Sequence, residues 1–438
     1  MQRMNISKIT LDDMLLARER RAEKQRELIE GYGRPVVCLT MNIAGEVKRT
    51  PLTELLFLEG VRRIENAMPP ALFRELWQDK TGSEAFFVFD LPAEEAKRIT
   101  VAIEESDTAA RLFDIDVIGA DSEKLSRPSM RSCIVCGGPV TACARSRAHG
   151  LQEITACTET LLEDYAAKRL AAMAYRALIT EVEATPKPGL VDRNNNGAHR
   201  DMDLPMFERS AAALRPHFEN MAKTAFSMAE EAPGALMAAL RKEGILAEQS
   251  MYAATGNVNT HKGAIYSMGL LLAGQAIALK KGGNACGHAA ALANCDLAAA
   301  LEKAERAPET NGEHVYNRCR ITGARGEAAL GFPTAAKAEA VYAAYLHGGL
   351  AENDALALTL PHVMADLPDT NLVHRGGEEG LQYARQSAKH ILMLAENRRL
   401  DALRDLDGEF ILRNLSPGGS ADMLALAVLL HGCRELPQ

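Results

Sequence analysis

Two aspartates one residue apart, Asp114 and Asp116, are the first residues in the chain whose type and spacing suit a reaction. They lie in the run RLFDIDVI over residues 111–118, where a strand's alternation puts both carboxylates on one face and Phe113, Ile115 and Val117 on the other. Along a strand the two carboxylates then stand about 7 Å apart. Such a pair suits Mg²⁺ held against a triphosphate, because a hard cation takes oxygen ligands and neutralises charge as a phosphorus–oxygen bond breaks. Taken alone, an Asp-x-Asp is more often a solvated strand face near a sheet edge. Farther on, Cys133, Cys136, Cys143 and His149 supply four candidate ligands for tetrahedral Zn²⁺. Their spacing is not a standard one, so ordinary packing or turn roles rank first there and zinc second. Arg145 and Arg147, in the same segment, suit phosphate oxygens.

The second half carries polar loops between apolar, alanine-rich runs. After Glu181 two prolines and Gly189 cannot continue a helix, which leaves Lys187, Asp192 and Arg193 on a constrained loop. His199, several amides, Asp201 and Asp203 follow directly. The loop Thr255–Gly263 brings His261 and Lys262 to the start of an apolar helix, whose first-turn amides suit anionic oxygens. Arg325, Glu327, Asp366, Asp369 and Arg375 come next, and Gly418 and Gly419 permit close backbone approach just before Asp422. Singly each is more often structural. Jointly they are the inventory that binds a nucleotide with Mg²⁺.

The elements that must position these groups fall into two unlike parts. A chain of 438 residues exceeds what one core usually covers. Strand-like runs at 35–43, 85–91 and 112–118, set between helical ones, predict a small α/β or α+β domain. From about residue 161, Leu162, Tyr165, Leu170, Met173 and Ala177 recur at helical spacing. The expected organisation is α+β overall: a domain over 1–155 and a mainly α-helical one over 156–438. With 47% hydrophobic and 25% charged residues the chain is not disordered, and a formal charge of −8 argues against a nucleic-acid partner. The charged first thirty residues lack the apolar run of a secretory signal. Ala264–Leu279 is too short and too interrupted for a membrane span and reads as a buried helix. Nine cysteines fit reduced thiols and the cytoplasm.

The runs LDDMLLARERR, PVVCLTMNI, RLFDIDVI and RSCIVCGGPVTACARSRAH, over about residues 5–155, together resemble apo-citrate lyase phosphoribosyl-dephospho-CoA transferase. The resemblance implies a nucleotidyltransferase-like domain. In it, a serine hydroxyl of the lyase acyl carrier subunit attacks the α-phosphorus of triphosphoribosyl-dephospho-CoA and releases pyrophosphate. Asp114 and Asp116 would be the metal ligands, and Arg18, Arg21, Arg145 and Arg147 the basic positions. Over about 160–438, TPKPGLVDRNNNGAH with DMD, NTHKGAIYSMGLL, GARGEAALGFP, DTNLVHRGG and NLSPGGSAD resemble triphosphoribosyl-dephospho-CoA synthase. Departures are small: TGNV precedes NTHKG where a shorter Thr-Gly-Val is expected, and Tyr266 stands where Phe is usual.

That family moves the triphosphoribosyl group of ATP to the ribose 2′-hydroxyl of dephospho-CoA and expels adenine, so C1 develops oxocarbenium character that a carboxylate stabilises. Chemistry then assigns Asp366, Asp369 and Asp422 to the triphosphate through Mg²⁺. Lys187, Arg193, His261, Lys262, Arg325, Arg375, Gly418 and Gly419 fall to the phosphates and nucleotide, and His199 or Glu327 to the attacking hydroxyl. The expectation is a fused enzyme that makes the citrate lyase prosthetic group and attaches it. Its rivals are the parallel malonate decarboxylase pathway and a non-catalytic, zinc-containing assembly factor for a carrier protein.

Overall fold

A computed structural model of the protein describes residues 7–437. The chain divides into two compact units, one reaching to Ala166 and taking in Leu436, the other spanning Ala167–Glu435.

The first unit runs in the order α1 (Leu11–Tyr32), β1 (Val36–Met41), α2 (Pro51–Ala67), β2 (Phe73–Asp79), β3 (Gly82–Val88), α3 (Ala93–Glu104), β4 (Phe113–Ile118) and the short α4 (Val140–Ser146). Capping boxes at Thr10 and Thr50 start α1 and α2, each threonine hydroxyl accepting from the backbone N–H three residues on. The four strands form one antiparallel sheet in the order β2-β3-β1-β4. Its register aligns Asp114 with Thr40 and Glu84 with Trp77, and sets Phe86, Cys38 and Asp116 side by side. Leu28 and Ile29 of α1 bury against Val36, Cys38, Phe86, Val88 and Ile118 on this face. Gly60 lets α2 close onto Leu39 and Phe113 on the other face, where a Cβ would stand 2.9 Å from each side chain. Three of the strands match the strand-like runs of the sequence. The fourth, β2, was hidden because an edge strand with one half-exposed face carries Arg74, Glu75 and Asp79 instead of an apolar alternation.

Helix α5 (Leu151–Glu183) contains the unit boundary. The second unit continues with α6 (Leu204–Ser227), α7 (Pro233–Thr255), α8 (Lys262–Lys281), α9 (Ala285–Arg306), α10 (Asn311–Cys319), α11 (Gly323–Ala329), α12 (Pro333–His347), α13 (Glu352–Asp366), α14 (Thr370–Met393), α15 (Glu396–Leu412) and α16 (Gly418–Arg434). It is helical throughout its described residues, as the alanine-rich periodicity predicts. Helix α8 runs for 20 residues, longer than the apolar stretch read from the sequence, and by length and composition it could cross a membrane. In the structure 78% of its apolar window is buried, packed against α6, α7, α9 and α16. It is the core helix of a bundle.

The loop between α5 and α6 is held by side chains rather than by secondary structure. Asp192 Oδ1 accepts from the N–H groups of Asn194 and Asn195, and its Oδ2 accepts from Lys187 N–H and the Thr185 hydroxyl. Asp407 accepts from Gly189 N–H and the Asn195 amide. Gly189, at φ +70°, lies so close to the α15–α16 turn that a Cβ would stand 2.2 Å from the Leu415 carbonyl oxygen. A backbone atom cannot step aside as a flexible side chain would. Gly189→Ala is expected to destabilise the second unit by about 1–3 kcal/mol, from strain plus clash. Urea midpoints check this against Gly234→Ala, a position with open space around it that should change little.

Candidate active sites

A cavity of ≈ 1270 Å³ opens within the second unit. Five stretches that are far apart in sequence converge on it: the α5–α6 loop, the start of α8, the α10–α11 region, the α13–α14 turn and the α15–α16 turn. Of the residues expected from sequence, Lys187, His199, His261, Lys262, Arg325, Glu327, Asp369, Arg375, Gly418, Gly419 and Asp422 all line it. Two do not. Arg193 points to solvent and pairs with Glu183 at 2.5 Å. Asp366 bonds to Lys337 and lines a separate pocket of ≈ 160 Å³ with Pro333 and His362. Asp366 is the exposed last residue of α13, whereas Asp369, after an extended break in the chain, is the buried N-cap of α14.

The carboxylates are not equivalent. Asp369 caps α14, its Oδ1 accepting from the N–H groups of Asn371 and Leu372, while Oδ2 accepts from the N–H and hydroxyl of Ser420. Burial pushes its pKa up even so. No described residue hydrogen-bonds to the Asp422 carboxylate, whose pKa is raised well above the usual range by burial and then by the like charges of Glu181 and Asp369. Glu181 is itself raised by burial, opposed by Lys187, whose Nζ lies 2.6 Å from Glu181 Oε1. Glu181 is a member of the cluster that sequence reasoning missed, because a glutamate near the end of a long helix carries no signal until the loop folds back over it.

The two histidines are neutral. His199 Nδ1 lies 3.0 Å from Arg375 Nη2, and guanidinium can only donate, so Nδ1 accepts and Nε2–H faces Ser416 Oγ at 2.9 Å. Burial, then Arg375, holds its pKa down at about 4. His261 sits edge-on to Phe207, with Nδ1 2.7 Å from Ser210 Oγ, and burial brings it down to about 3. Glu327, the other candidate base, has both oxygens on Thr334: Oε1 accepts from the hydroxyl and Oε2 from the N–H. Lys262 pairs with Glu248 at 2.9 Å and Arg325 with Glu313 at 3.3 Å.

In the first unit, Asp114 and Asp116 alternate with buried Phe113, Ile115 and Val117, so both carboxylates share the face of the sheet that α1 covers. Each has a cation: Arg131 lies 3.4 Å from Asp114, and Lys124 lies 2.6 Å from Asp116. Arg131 also donates to the Phe113 carbonyl and to buried Glu104, which accepts in addition from Arg127 and Ile115 N–H. Lys124, Arg131 and Glu104 were not singled out in the sequence, since only the fold brings them to β4. Of the four expected arginines, Arg21 is committed to both oxygens of Glu84, at 2.6 and 3.1 Å. Arg18, Arg145 and Arg147 are exposed. The Cys133, Cys136, Cys143 and His149 ligand atoms lie within 4.8 Å of one another, so the structure gathers four residues whose spacing favoured separate packing roles.

Two family models match in tandem. Residues 9–165 match CitX, apo-citrate lyase phosphoribosyl-dephospho-CoA transferase, and residues 167–438 match CitG, ATP:dephospho-CoA triphosphoribosyl transferase. Protein CitXG of Haemophilus influenzae is 36% identical over 98% of this chain and 97% of its own length. The chain belongs to the CitXG family of fusions. Protein CitXG of Leuconostoc mesenteroides subsp. cremoris is 30% identical over 97% of each chain. A probable 2-(5''-triphosphoribosyl)-3'-dephosphocoenzyme-A synthase of Pectobacterium carotovorum is 43% identical over 58% of this chain and 86% of its own. A solved structure described as a putative triphosphoribosyl-dephospho-CoA synthase from Archaeoglobus fulgidus aligns with 52% of this chain at 17% identity and a TM-score of 0.34, and the family assignment rests on the sequences instead. The protein is a transferase that serves both steps of citrate lyase prosthetic-group synthesis, and the CitX match favours citrate lyase over malonate decarboxylase.

The Lys187–Glu181 pair at the floor of the CitG cavity is almost completely buried, with side chains 1% and 8% exposed. Lys187→Met leaves the carboxylate without its cation and is expected to cost about 3–5 kcal/mol, with Glu181→Gln added to it restoring part of the loss in urea unfolding. The neutral histidines set a pH dependence. Unfolded imidazoles take a proton near 6.5, whereas His199 and His261 resist it down to about 4 and about 3. Between those values the unfolded imidazoles bind more protons, so the histidines' contribution to stability is complete above 6.5 and falls as pH drops. Between about pH 7.5 and about pH 5 the urea midpoint of His261→Gln should therefore fall less, or rise more, than that of the parent chain.

Proposed function

We propose that the CitG cavity binds ATP and dephospho-CoA together and joins them. The observation that carries this reading is the convergence of Glu181, Asp369 and Asp422 with Lys187, Lys262, Arg325 and Arg375 on one cavity. At ≈ 1270 Å³ it exceeds the roughly 300–1000 Å³ of a site for one small ligand. The 2′-hydroxyl of dephospho-CoA attacks C1 of the ATP ribose, the new C–O bond replaces the bond to adenine, and adenine leaves with a proton. Carboxylates on the wall stabilise the positive charge at C1, and the lysines and arginines hold the triphosphate.

The donor set fits Mg²⁺. A carboxylate without a hydrogen-bond partner among the described residues, raised in pKa by burial and then by two neighbours of like charge, is relieved by a divalent cation. Asp422 would be its direct ligand, and Mg²⁺ when bound neutralises triphosphate charge. Asp369, with all its hydrogen bonds to protein, positions the Gly418-Gly419-Ser420 turn. His199 and Glu327 have their acceptor atoms committed to Arg375 and Thr334, so we assign them to positioning rather than to proton transfer.

In the CitX unit, a nucleotidyltransferase-like domain in our reading, Asp114 and Asp116 would hold Mg²⁺, which when bound would neutralise charge on the triphosphate of the second substrate. A serine hydroxyl of the acyl carrier protein of citrate lyase attacks the α-phosphorus. The bond to pyrophosphate breaks and pyrophosphate leaves. Arg18, Arg145 and Arg147, exposed and cationic, suit the phosphates or the carrier surface. We divide the two activities between 1–155 and 156–438 and place both in the cytoplasm, where nine free cysteines stay reduced.

Incubation with ATP and dephospho-CoA should release adenine, measured by chromatography, and Asp422→Asn should lower that rate by about 10²-fold or more. Asp114→Asn with Asp116→Asn should leave adenine release intact and stop labelling of the carrier. Loss of both activities in that variant contradicts two separable sites, and a wild-type chain that releases no adenine contradicts the synthase reading.

A further inference from the structure

The segment between β4 and α5 builds a ligand set that the transferase chemistry does not use. Gly137, at φ +74°, turns the chain directly after the second cysteine. Gly137 N–H donates to the Cys133 carbonyl at 2.9 Å, and Cys133 N–H donates to the Gly138 carbonyl at 2.6 Å. This closes a tight knuckle that brings both sulfurs to one side. A bridge between Ser132 and Pro139 holds its base. Helix α4 delivers Cys143, and after it Arg147, in the left-handed region at φ 47°, bends the chain so that Ala148 N–H reaches the Cys143 carbonyl at 3.1 Å. His149 is thereby returned to the knuckle.

The histidine is oriented as a ligand. Its Nδ1 lies 3.4 Å from Glu153 Oε2, and its Nε2 is buried without a hydrogen-bond partner. A carboxylate behind one ring nitrogen with the other aimed at a metal is the usual arrangement around ligating histidines. A buried, unsatisfied imidazole nitrogen otherwise costs free energy. Cys136 Sγ and Cys143 Sγ stand 3.4 Å apart. A disulfide requires about 2.05 Å. Thiolates at about 2.3 Å around one tetrahedral ion stand roughly 3.8 Å apart, so a small outward movement of the sulfurs admits the ion.

We propose that Cys133, Cys136, Cys143 and His149 bind one structural Zn²⁺ ion, which fixes the segment from Arg131 to His149 beside β4. Four protein ligands close the coordination shell, so the ion has no open position for substrate. Binding replaces thiol protons by Zn–S bonds and the protons pass to solvent. The physical consequence is local order next to the acidic strand. Arg131 stands two residues before the first ligand and reaches Asp114, and Arg111 donates to the carbonyls of Ser132 and Cys133 at 2.8 and 2.7 Å.

Elemental analysis of the full chain, purified under reducing conditions with zinc in the medium, should find about one zinc per chain. Replacement by Co²⁺ should give the visible absorption of a tetrahedral thiolate site. Cys136→Ser and Cys143→Ser should lower bound metal at least about tenfold, whereas His149→Cys, which keeps four ligands, and Cys295→Ser, outside the cluster, should retain it. Adenine release from each variant reports that the second unit has folded, and a cooperative urea transition followed by the fluorescence of Trp77 reports that the first has. Wild-type protein without stoichiometric metal, metal unchanged in both serine variants, or a Cys136–Cys143 disulfide in place of the ion would each overturn the proposal.

Discussion

Four hydrogen bonds converge on the buried carboxylate of Asp369, and through them the N-termini of α14 and α16 are held face to face. Each helix start leaves N–H groups without intrahelical partners, and one carboxylate answers both while complementing both dipoles. The cavity wall depends on that junction. It sets the Gly418-Gly419-Ser420 turn from which Asp422 projects, and it starts the helix that carries Arg375 one turn later to His199. A carboxylate that makes four bonds is a scaffold for its neighbours, so two aspartates in one cavity have different work.

The electrostatics of the CitG cavity follow from burial. Glu181 and Asp422 are raised by loss of water, and Asp422 is raised further by like charge. The imidazoles of His199 and His261 are driven the other way, to neutrality. Such a site combines a carboxylate that lacks a cation among the described residues, Asp422, with lysines and arginines on the same lining, the complement of a metal–triphosphate. Preorganised charges in a cavity interact more strongly than the same charges in water, because the surrounding protein screens them less.

The CitX unit gathers charge with half-buried groups. Its acidic pair sits on a sheet face rather than in a deep cavity, and Lys124 and Arg131 offset the repulsion between the two carboxylates. Buried Glu104 ties Arg127 and Arg131 to the same strand, so the cations around β4 are themselves held in register by a carboxylate beneath them.

Local chemistry was legible along the chain wherever neighbours in sequence are neighbours in space. The alternation in RLFDIDVI places Asp114 and Asp116 on one face, the alanine-rich periodicity makes the second unit helical, and the Pro and Gly residues around Lys187 end α5. Family motifs reached further, since they carry the outcome of folding in a short string. What only the tertiary structure decided is which groups share a cavity and which oxygen or nitrogen is already taken. It joined Glu181 to Asp422, turned Asp366 and Arg193 outward, and gave the acceptor atoms of His199 and Glu327 to Arg375 and Thr334. The physical reason is that hydrogen-bond saturation and desolvation are properties of a position in space. They depend on residues as remote as Thr185 from Asn353, and no local pattern encodes that meeting.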